Sequence, residues 1–231
     1  IPFLIPFLLM MAIGPKLKWI KSNFEDKTYL IILLLFSILL SFLIVKNFDT
    51  NFLLNTILIS SALYLFLITL RDFFIKKYNN LSQNIAHFGF SLLILSIIFN
   101  NLFSTEIITN LKVGETFKSE TTKIVFEGIN QKKEKNYQSI IGNFSIQNSK
   151  GKIENMSPEL RIYNQPNIVT SEADIKTTLI SDTFIVINLV QNQDYFNVRY
   201  QVKPFMIWIW ISVVLISFGG LISFIKKKYE K

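Results

Sequence analysis

The stretch Ile85-Ala-His-Phe-Gly-Phe-Ser-Leu-Leu-Ile-Leu-Ser-Ile-Ile-Phe-Asn-Asn-Leu-Phe103 contains no Asp, Glu, Lys or Arg. A helix of that length, at about 1.5 Å per residue, nearly matches a hydrocarbon core of about 30 Å. It is predicted to cross a membrane. Three further charge-free runs, Tyr29–Val45, Phe52–Leu70 and Phe205–Ile225, carry the same prediction. A fifth, Ile1–Ile13, is too short to span. It has neither the basic start nor the small-residue cleavage site of a signal peptide, and it begins without Met. It is expected to be the end of a span whose beginning lies upstream in a longer protein.

Composition narrows the class. Half of the 231 residues are hydrophobic, 22 are Phe, and mean hydropathy is +0.38. Apolar residues gathered into long runs exclude a simple soluble enzyme and a disordered chain. The absence of Cys excludes disulfides, thiolate metal sites, iron–sulfur clusters and thioether attachment of haem to this chain.

The net charge of +8 reads as membrane topology rather than nucleic-acid binding. Alternating spans put three connecting segments on one side: 14–28 with Lys16, Lys18, Lys21 and Lys27; 71–84 with Arg71, Lys76 and Lys77; and the tail with Lys226, Lys227, Lys228 and Lys231. These hold 11 basic and 4 acidic residues, whereas residues 104–203, on the opposite side, hold 12 and 11. Lys/Arg-rich segments stay in the cytoplasm, so 104–203 is expected outside.

That outer segment changes period. Ile124–Gly128, Ile140–Ile146, Phe184–Val190 and Tyr195–Val202 are short, β-branched and aromatic, and are separated by Gly, Asn, Lys and Pro clusters. Phe196, Val198, Tyr200 and Val202 alternate with polar neighbours, the period of a half-buried strand. A small antiparallel β-domain is expected.

Few residues offer chemistry. His87, the only histidine, lies two residues into the 85–103 run, with Ser91 one helical turn on. An ionisable group inside a span faces a protein interior, a cavity or a cofactor, and a neutral imidazole can ligate a metal through one nitrogen. An interfacial histidine reaching the headgroups explains the residue equally well. In the outer segment, Glu159, Arg161, Tyr163, Glu172 and Asp174 fit either a partner-docking face with an ion-pair network or solvated strand charges, the simpler reading. Trp208 and Trp210 fit an aromatic belt, or the wall of a pocket for a large planar ligand. Gly219-Gly220 permits close helix packing, and Arg71-Asp72 reads as a boundary pair. No phosphate loop, nucleophile elbow or His-Glu-x-x-His motif is present.

Taken in order, several local patterns resemble one family. They are Gly14-Pro15 with Trp19, Ala86-His87-Phe88-Gly89, Phe126-Glu127-Gly128, Pro158-Glu159-Leu160-Arg161-Ile162-Tyr163, Glu172-Ala173, and Pro204-Phe205 with Trp208, Trp210 and Gly219-Gly220. Together they resemble the C-terminal part of CcmF, the haem-lyase subunit of bacterial cytochrome c maturation. Leu160 departs from the Lys that the family often has. The resemblance implies a multi-pass protein of the bacterial inner membrane. Such a protein receives haem from a CcmE-type chaperone and works with CcmH- and CcmI-type subunits to attach haem to apocytochrome c in the periplasm. It also implies a haem b held between two membrane histidines and used to reduce the incoming haem. His87 matches one of these ligands, and the second lies outside this sequence. Two imidazoles suit a haem that transfers electrons.

The expected fold class is therefore a polytopic α-helical membrane protein with an inserted periplasmic β-rich domain. Residues 1–103 hold helices (about 3–13, 29–45, 52–70 and 85–103), 104–203 the β-rich domain, and 204–231 the final span (about 205–225) and basic tail. The expected function is haem delivery and covalent haem attachment, with no nucleic-acid partner and no activity in this fragment alone. The competing class is a membrane-anchored assembly or sensor protein whose outer domain binds a protein partner. A transporter fits less well, because the spans lack buried charges and clear breaks.

Overall fold

Removed from water, a charge-free run must satisfy every backbone amide within itself. In the computed structural model each long run lies in an α-helix. The structure describes residues 3–16, 27–48, 51–75, 81–148, 151–190 and 193–229. Trp19, Lys18, Lys21, Lys76, Lys77 and Lys231 lie outside them. The helices are α1 (Leu4–Ile13), α2 (Lys27–Val45), α3 (Phe52–Ile75), α4 (Leu81–Phe103) and α5 (Met206–Tyr229). The last four are long and apolar enough to cross a membrane. The chain divides into a helical unit, 1–102 with 205–231, and a second unit, 103–204.

Helix α3 is central to the helical unit. It packs against α1 and α2 and buries Leu58, Ile59, Ala62, Leu63, Tyr64, Leu65 and Ile68. Hydroxyls in the helices are spent on backbone carbonyls. Ser37 donates to Leu33 O at 2.8 Å and Thr69 to Leu65 O at 2.9 Å, while Ser41 crosses to Thr56 O at 2.7 Å. Such bonds satisfy a polar group that the bilayer cannot hydrate. The expected Arg71-Asp72 boundary pair resolves differently, because adjacent helical residues project about 100° apart. Asp72 meets Lys16 Nζ at 3.1 Å with both side chains buried, and the Arg71 guanidinium lies 3.9 Å from the centre of the Tyr29 ring.

The second unit is a sandwich of two antiparallel sheets. Its strands are β1 (Thr105–Leu111), β2 (Thr116–Lys118), β3 (Thr122–Lys133), β4 (Tyr137–Asn148), β5 (Ile153–Met156), β6 (Glu159–Asn164), β7 (Asn167–Glu172), β8 (Asp174–Thr177), β9 (Ser181–Leu189) and β10 (Phe196–Pro204). One sheet runs β1-β10-β9-β8; the other runs β2-β3-β4-β6-β7, with β5 also paired to β4. Period-2 alternation decides which side chains enter the core. From β10, Val198 and Tyr200 are buried while Arg199 is exposed. Ile185 and Ile187 come from β9, and Phe126, Phe144, Ile146 and Leu160 from the other sheet. Phe126 and Phe144 stack with ring centres 4.4 Å apart, and Phe196 meets Phe126 edge-on at 5.6 Å. Each such ring contributes about 1.5–3 kcal/mol by leaving water. A bulge between Phe126 and Gly128 admits Glu127 as an extra residue, so that the strand keeps its apolar side inward on both sides of the irregularity. The polytopic helical fold with an inserted β-rich domain is thus the one observed.

On the outward face of the first sheet, Glu106 accepts hydrogen bonds from Gln201 at 2.8 Å and from Arg199. These bonds, the Gln201 amide first and then the Arg199 guanidinium, hold its carboxyl below the ordinary carboxylate range. A lowered native pKa stabilises the fold above the unfolded value, near 4.5, and that contribution disappears as pH falls through the native value. The difference in thermal midpoint between wild type and Glu106→Gln is therefore expected to shrink below about pH 4.5. A pH scan of both proteins in detergent measures it; a difference constant from pH 7 to 3 would contradict the assignment.

Candidate functional site

His87 sits in the second turn of α4, half-buried, and its neighbours point to three different helices. Phe88 stacks on Phe66 of α3 at 5.1 Å and meets Phe73 edge-on at 5.6 Å. Phe90 meets Phe7 of α1 at 5.7 Å. Ala86 and Gly89 face α5. At 100° per residue, His87 occupies the sector between Phe90 and Ser91. Ser91 is fully buried, and its hydroxyl donates to Phe88 O at 2.9 Å, so it is spent on the helix itself rather than on the imidazole one turn away. No described side chain forms a hydrogen bond or ion pair with the imidazole. Among the described residues no group of three or more His, Cys, Asp or Glu side chains could hold a metal ion. Toward any metal-centred group this unit could offer one imidazole, on a helix held by ring contacts to α1 and α3 and by a close approach to α5.

Two glycines bring α4 and α5 together. A Cβ on Gly89 would lie 3.0 Å from Ile216 N and from Leu215 Cβ. A Cβ on Gly219 would lie 2.8 Å from both Ala86 N and Ser82 O, whereas Gly220 has open space. Small residues that let backbones approach are how helices associate in lipid. The contact grips α4 at Ala86, the residue before His87. Trp208 and Trp210, in the first two turns of α5, are both exposed and about 200° apart around the helix, so they face different directions.

In the sandwich, Glu159, Arg161, Tyr163 and Glu172 are gathered on one sheet face. Alternation puts the first three on the same side of β6, and register sets Glu172 of β7 opposite Glu159. Arg161 Nε donates to Glu159 Oε2 at 3.1 Å, and its Nη1 lies 3.9 Å from Glu172 Oε1. Its guanidinium stands 5.2 Å from the centre of the Tyr137 ring, which lies 5.3 Å from that of Tyr163. Ser139 donates to Glu159 Oε2 at 3.1 Å and Thr170 to Glu172 Oε1 at 3.2 Å. The bond to Glu159, then that to Tyr163, raises the Arg161 pKa further. Two carboxylates around one guanidinium leave a net negative patch beside two phenol rings. It suits a partner presenting amino or amide donors.

Tyr137, Ser139 and Thr170 belong to this network, and sequence reasoning missed them because each joins through cross-strand register. Asp174 does not belong to it: it lies on β8 of the other sheet and accepts from Ser157 N at 2.6 Å. Leu160 points the other way, into the core at 1% exposure, so its role is packing.

A family model described as CcmF C-terminal beta-sandwich matches residues 102–204, the limits of the second unit to within a residue. The cytochrome c-type biogenesis protein CcmF of Haemophilus influenzae is 25% identical over 243 residues, covering 97% of this chain and 37% of that protein. CcmF of Escherichia coli is 22% identical over 238 residues, covering 99% and 37%. A solved structure titled Cytochrome c Heme Lyase CcmF has the same fold, with TM-score 0.71 and 18% identity, covering 95% of this chain and 38% of that one. The chain thus spans a little over a third of the length of these relatives.

Proposed function

Because the chain is similar to the C-terminal part of CcmF from its first described helix to its last, we propose that it serves cytochrome c biogenesis. In this reading it is the C-terminal portion of a haem lyase. It takes part in delivering haem and attaching it covalently to apocytochrome c at the periplasmic face of a bacterial inner membrane. The observation that carries the reading is the order of parts: a helix bearing the only imidazole runs directly into a CcmF-type sandwich, and the sandwich runs directly into the helix that grips it.

His87 would hold one axial position of a haem b, with the second ligand outside this chain. Bound there, haem b supplies a one-electron redox centre. The chain's own contribution is positional. Phe88 anchors α4 to α3, and the Gly219 contact fixes the backbone at Ala86, so the imidazole is held with little freedom to lose on ligation. The uneven Lys/Arg distribution supports a cytoplasmic tail and a periplasmic sandwich. On the sandwich, the face of Glu159, Arg161, Tyr163 and Glu172 would dock a protein subunit of the CcmE, CcmH or CcmI type or the apocytochrome itself. The aromatic surface of Trp208 or Trp210 would lie against haem in transit.

Deleting the segment that encodes this chain in its native host tests the reading. Covalent haem staining of c-type cytochromes should vanish while apocytochrome is still exported. Wild-type levels of holocytochrome c would overturn it and favour a tethered binding protein.

A further inference from the structure

The connection between β8 and β9 has unusual turn chemistry. Its two apical residues are Leu179 and Ile180, where tight hairpins normally carry Gly, Asn or Asp. The turn is held from its shoulder instead. The Thr178 hydroxyl accepts from Ser181 N at 3.0 Å and from Ile180 N at 3.3 Å, and donates to Ser181 O at 2.8 Å. Thr178 N closes the loop to Ser181 O at 3.0 Å. Both apical side chains are left pointing outward, at 69% and 72% exposure. They are the most exposed large apolar side chains described in the second unit. Local geometry does not ask for them, since neither residue takes a positive φ and Thr178 supplies the hydrogen bonds.

Register tells where this tip lies. Ser181 pairs with Pro204, and Val202 with Thr105. The tip therefore projects from the same end of the sheet at which β1 begins and β10 finishes, and it reaches past the level of Pro204. At that end α4 stops at Phe103 and α5 starts at Met206, so no linker separates the strands from the apolar helices. Trp208 and Trp210 lie in the first two turns of α5, where an aromatic belt marks a bilayer interface.

We propose that Leu179 and Ile180 are buried in the interfacial layer of the lipid bilayer, making the β8–β9 tip a third attachment of the sandwich to the membrane. Two hydrated, branched apolar side chains leave water on entering that layer, which is favourable without any headgroup-specific contact. The amides of Thr178, Ile180 and Ser181 are already hydrogen-bonded within the turn, so these groups can approach the layer without being left unpaired. A third point of attachment resists rocking about the two chain crossings. The inference rests on the membrane-spanning reading of α4 and α5 and is independent of haem.

The test exploits a chain without Cys. Ile180→Cys is labelled with an environment-sensitive fluorophore, and the whole chain is reconstituted into phosphatidylcholine vesicles carrying doxyl lipids of shallow or deep position. Val113→Cys, beyond the far end of β1, is the water-exposed comparator, and Val214→Cys in α5 reports the span. The label at 180 is expected to emit to the blue of the one at 113. It should also be quenched several-fold more strongly by shallow doxyl lipid and be shielded from iodide. Equal access of iodide at 180 and 113, without lipid quenching, would overturn the proposal. Shielding from iodide without lipid quenching would overturn it as well, since protein would then cover the tip. Deep quenching at 214 in the same vesicles makes failure at 180 count against the tip alone; its absence would overturn the span and the tip together.

Discussion

On the proposed haem-lyase reading, His87→Ala is expected to remove the reduced haem b spectrum from the protein assembled with the polypeptide that completes the lyase. The chain holds no other histidine and no cysteine, so no nearby side chain of comparable ligand strength can take the position. The drop in haem occupancy should exceed the roughly tenfold to hundredfold cost of losing a merely supporting contact around a metal. Free imidazole should diffuse into the vacated space and restore part of the low-spin spectrum. A misfolded variant would not respond, which separates loss of a ligand from loss of the fold. Reduced-minus-oxidised absorption spectra of wild type and variant, with and without imidazole, provide the measurement. An unchanged spectrum would return His87 to the rank of an interfacial residue.

The second large effect is expected at Gly219, with Gly220 as its internal control. Gly219→Val must place a branched side chain where Ala86 N, Ser82 O and Ala86 Cβ already stand within 2.9 Å of an ideal Cβ. Two of those atoms are backbone and cannot rotate away, so α4 and α5 have to separate. Overpacking of this kind costs about 1–3 kcal/mol, and more where the obstacle is main chain. Gly220→Val enters open space and should change stability by less than about 0.5 kcal/mol, as surface substitutions do. Thermal midpoints and monodisperse yield in detergent compare the two. Because the displaced backbone adjoins His87, the Gly219 variant should also perturb any haem spectrum. Equal tolerance at both positions would refute the close packing of α4 and α5.

The helices and the sandwich were legible for different reasons. Charge-free runs such as Phe52–Leu70 declare themselves because lipid leaves the backbone one solution. Strands β3, β4, β9 and β10 showed their β-branched and aromatic content, and β10 its alternation at Phe196, Val198, Tyr200 and Val202. By contrast, β7 and β8 are short, polar edge strands, and nothing in Asp174–Thr177 announces pairing. The Arg161 cluster was half-legible: Glu159, Arg161 and Tyr163 share a side by period alone. Tyr137 and Ser139 enter only through a register that spans more than twenty residues, and Thr170 through the β6–β7 hairpin register opposite Arg161. Likewise Gly219 and Gly220 are indistinguishable in sequence, and only the phase of α5 against α4 tells them apart.

The pairing of β1 with β10 bears on the order in which the molecule assembles. Helices α4 and α5 are separated by a hundred-residue insertion, a loop whose closure would weigh heavily on their encounter. Once the first and last strands of the insertion zip together, Thr105 opposite Val202, the two ends of the insertion stand roughly one strand spacing of about 4.8 Å apart. The intervening sequence then ceases to count as a loop. The helix pair that carries His87 becomes, kinetically, a hairpin with a folded domain for its turn. Closure of the sandwich should therefore precede the seating of Gly219 against Ala86 during biogenesis in the membrane.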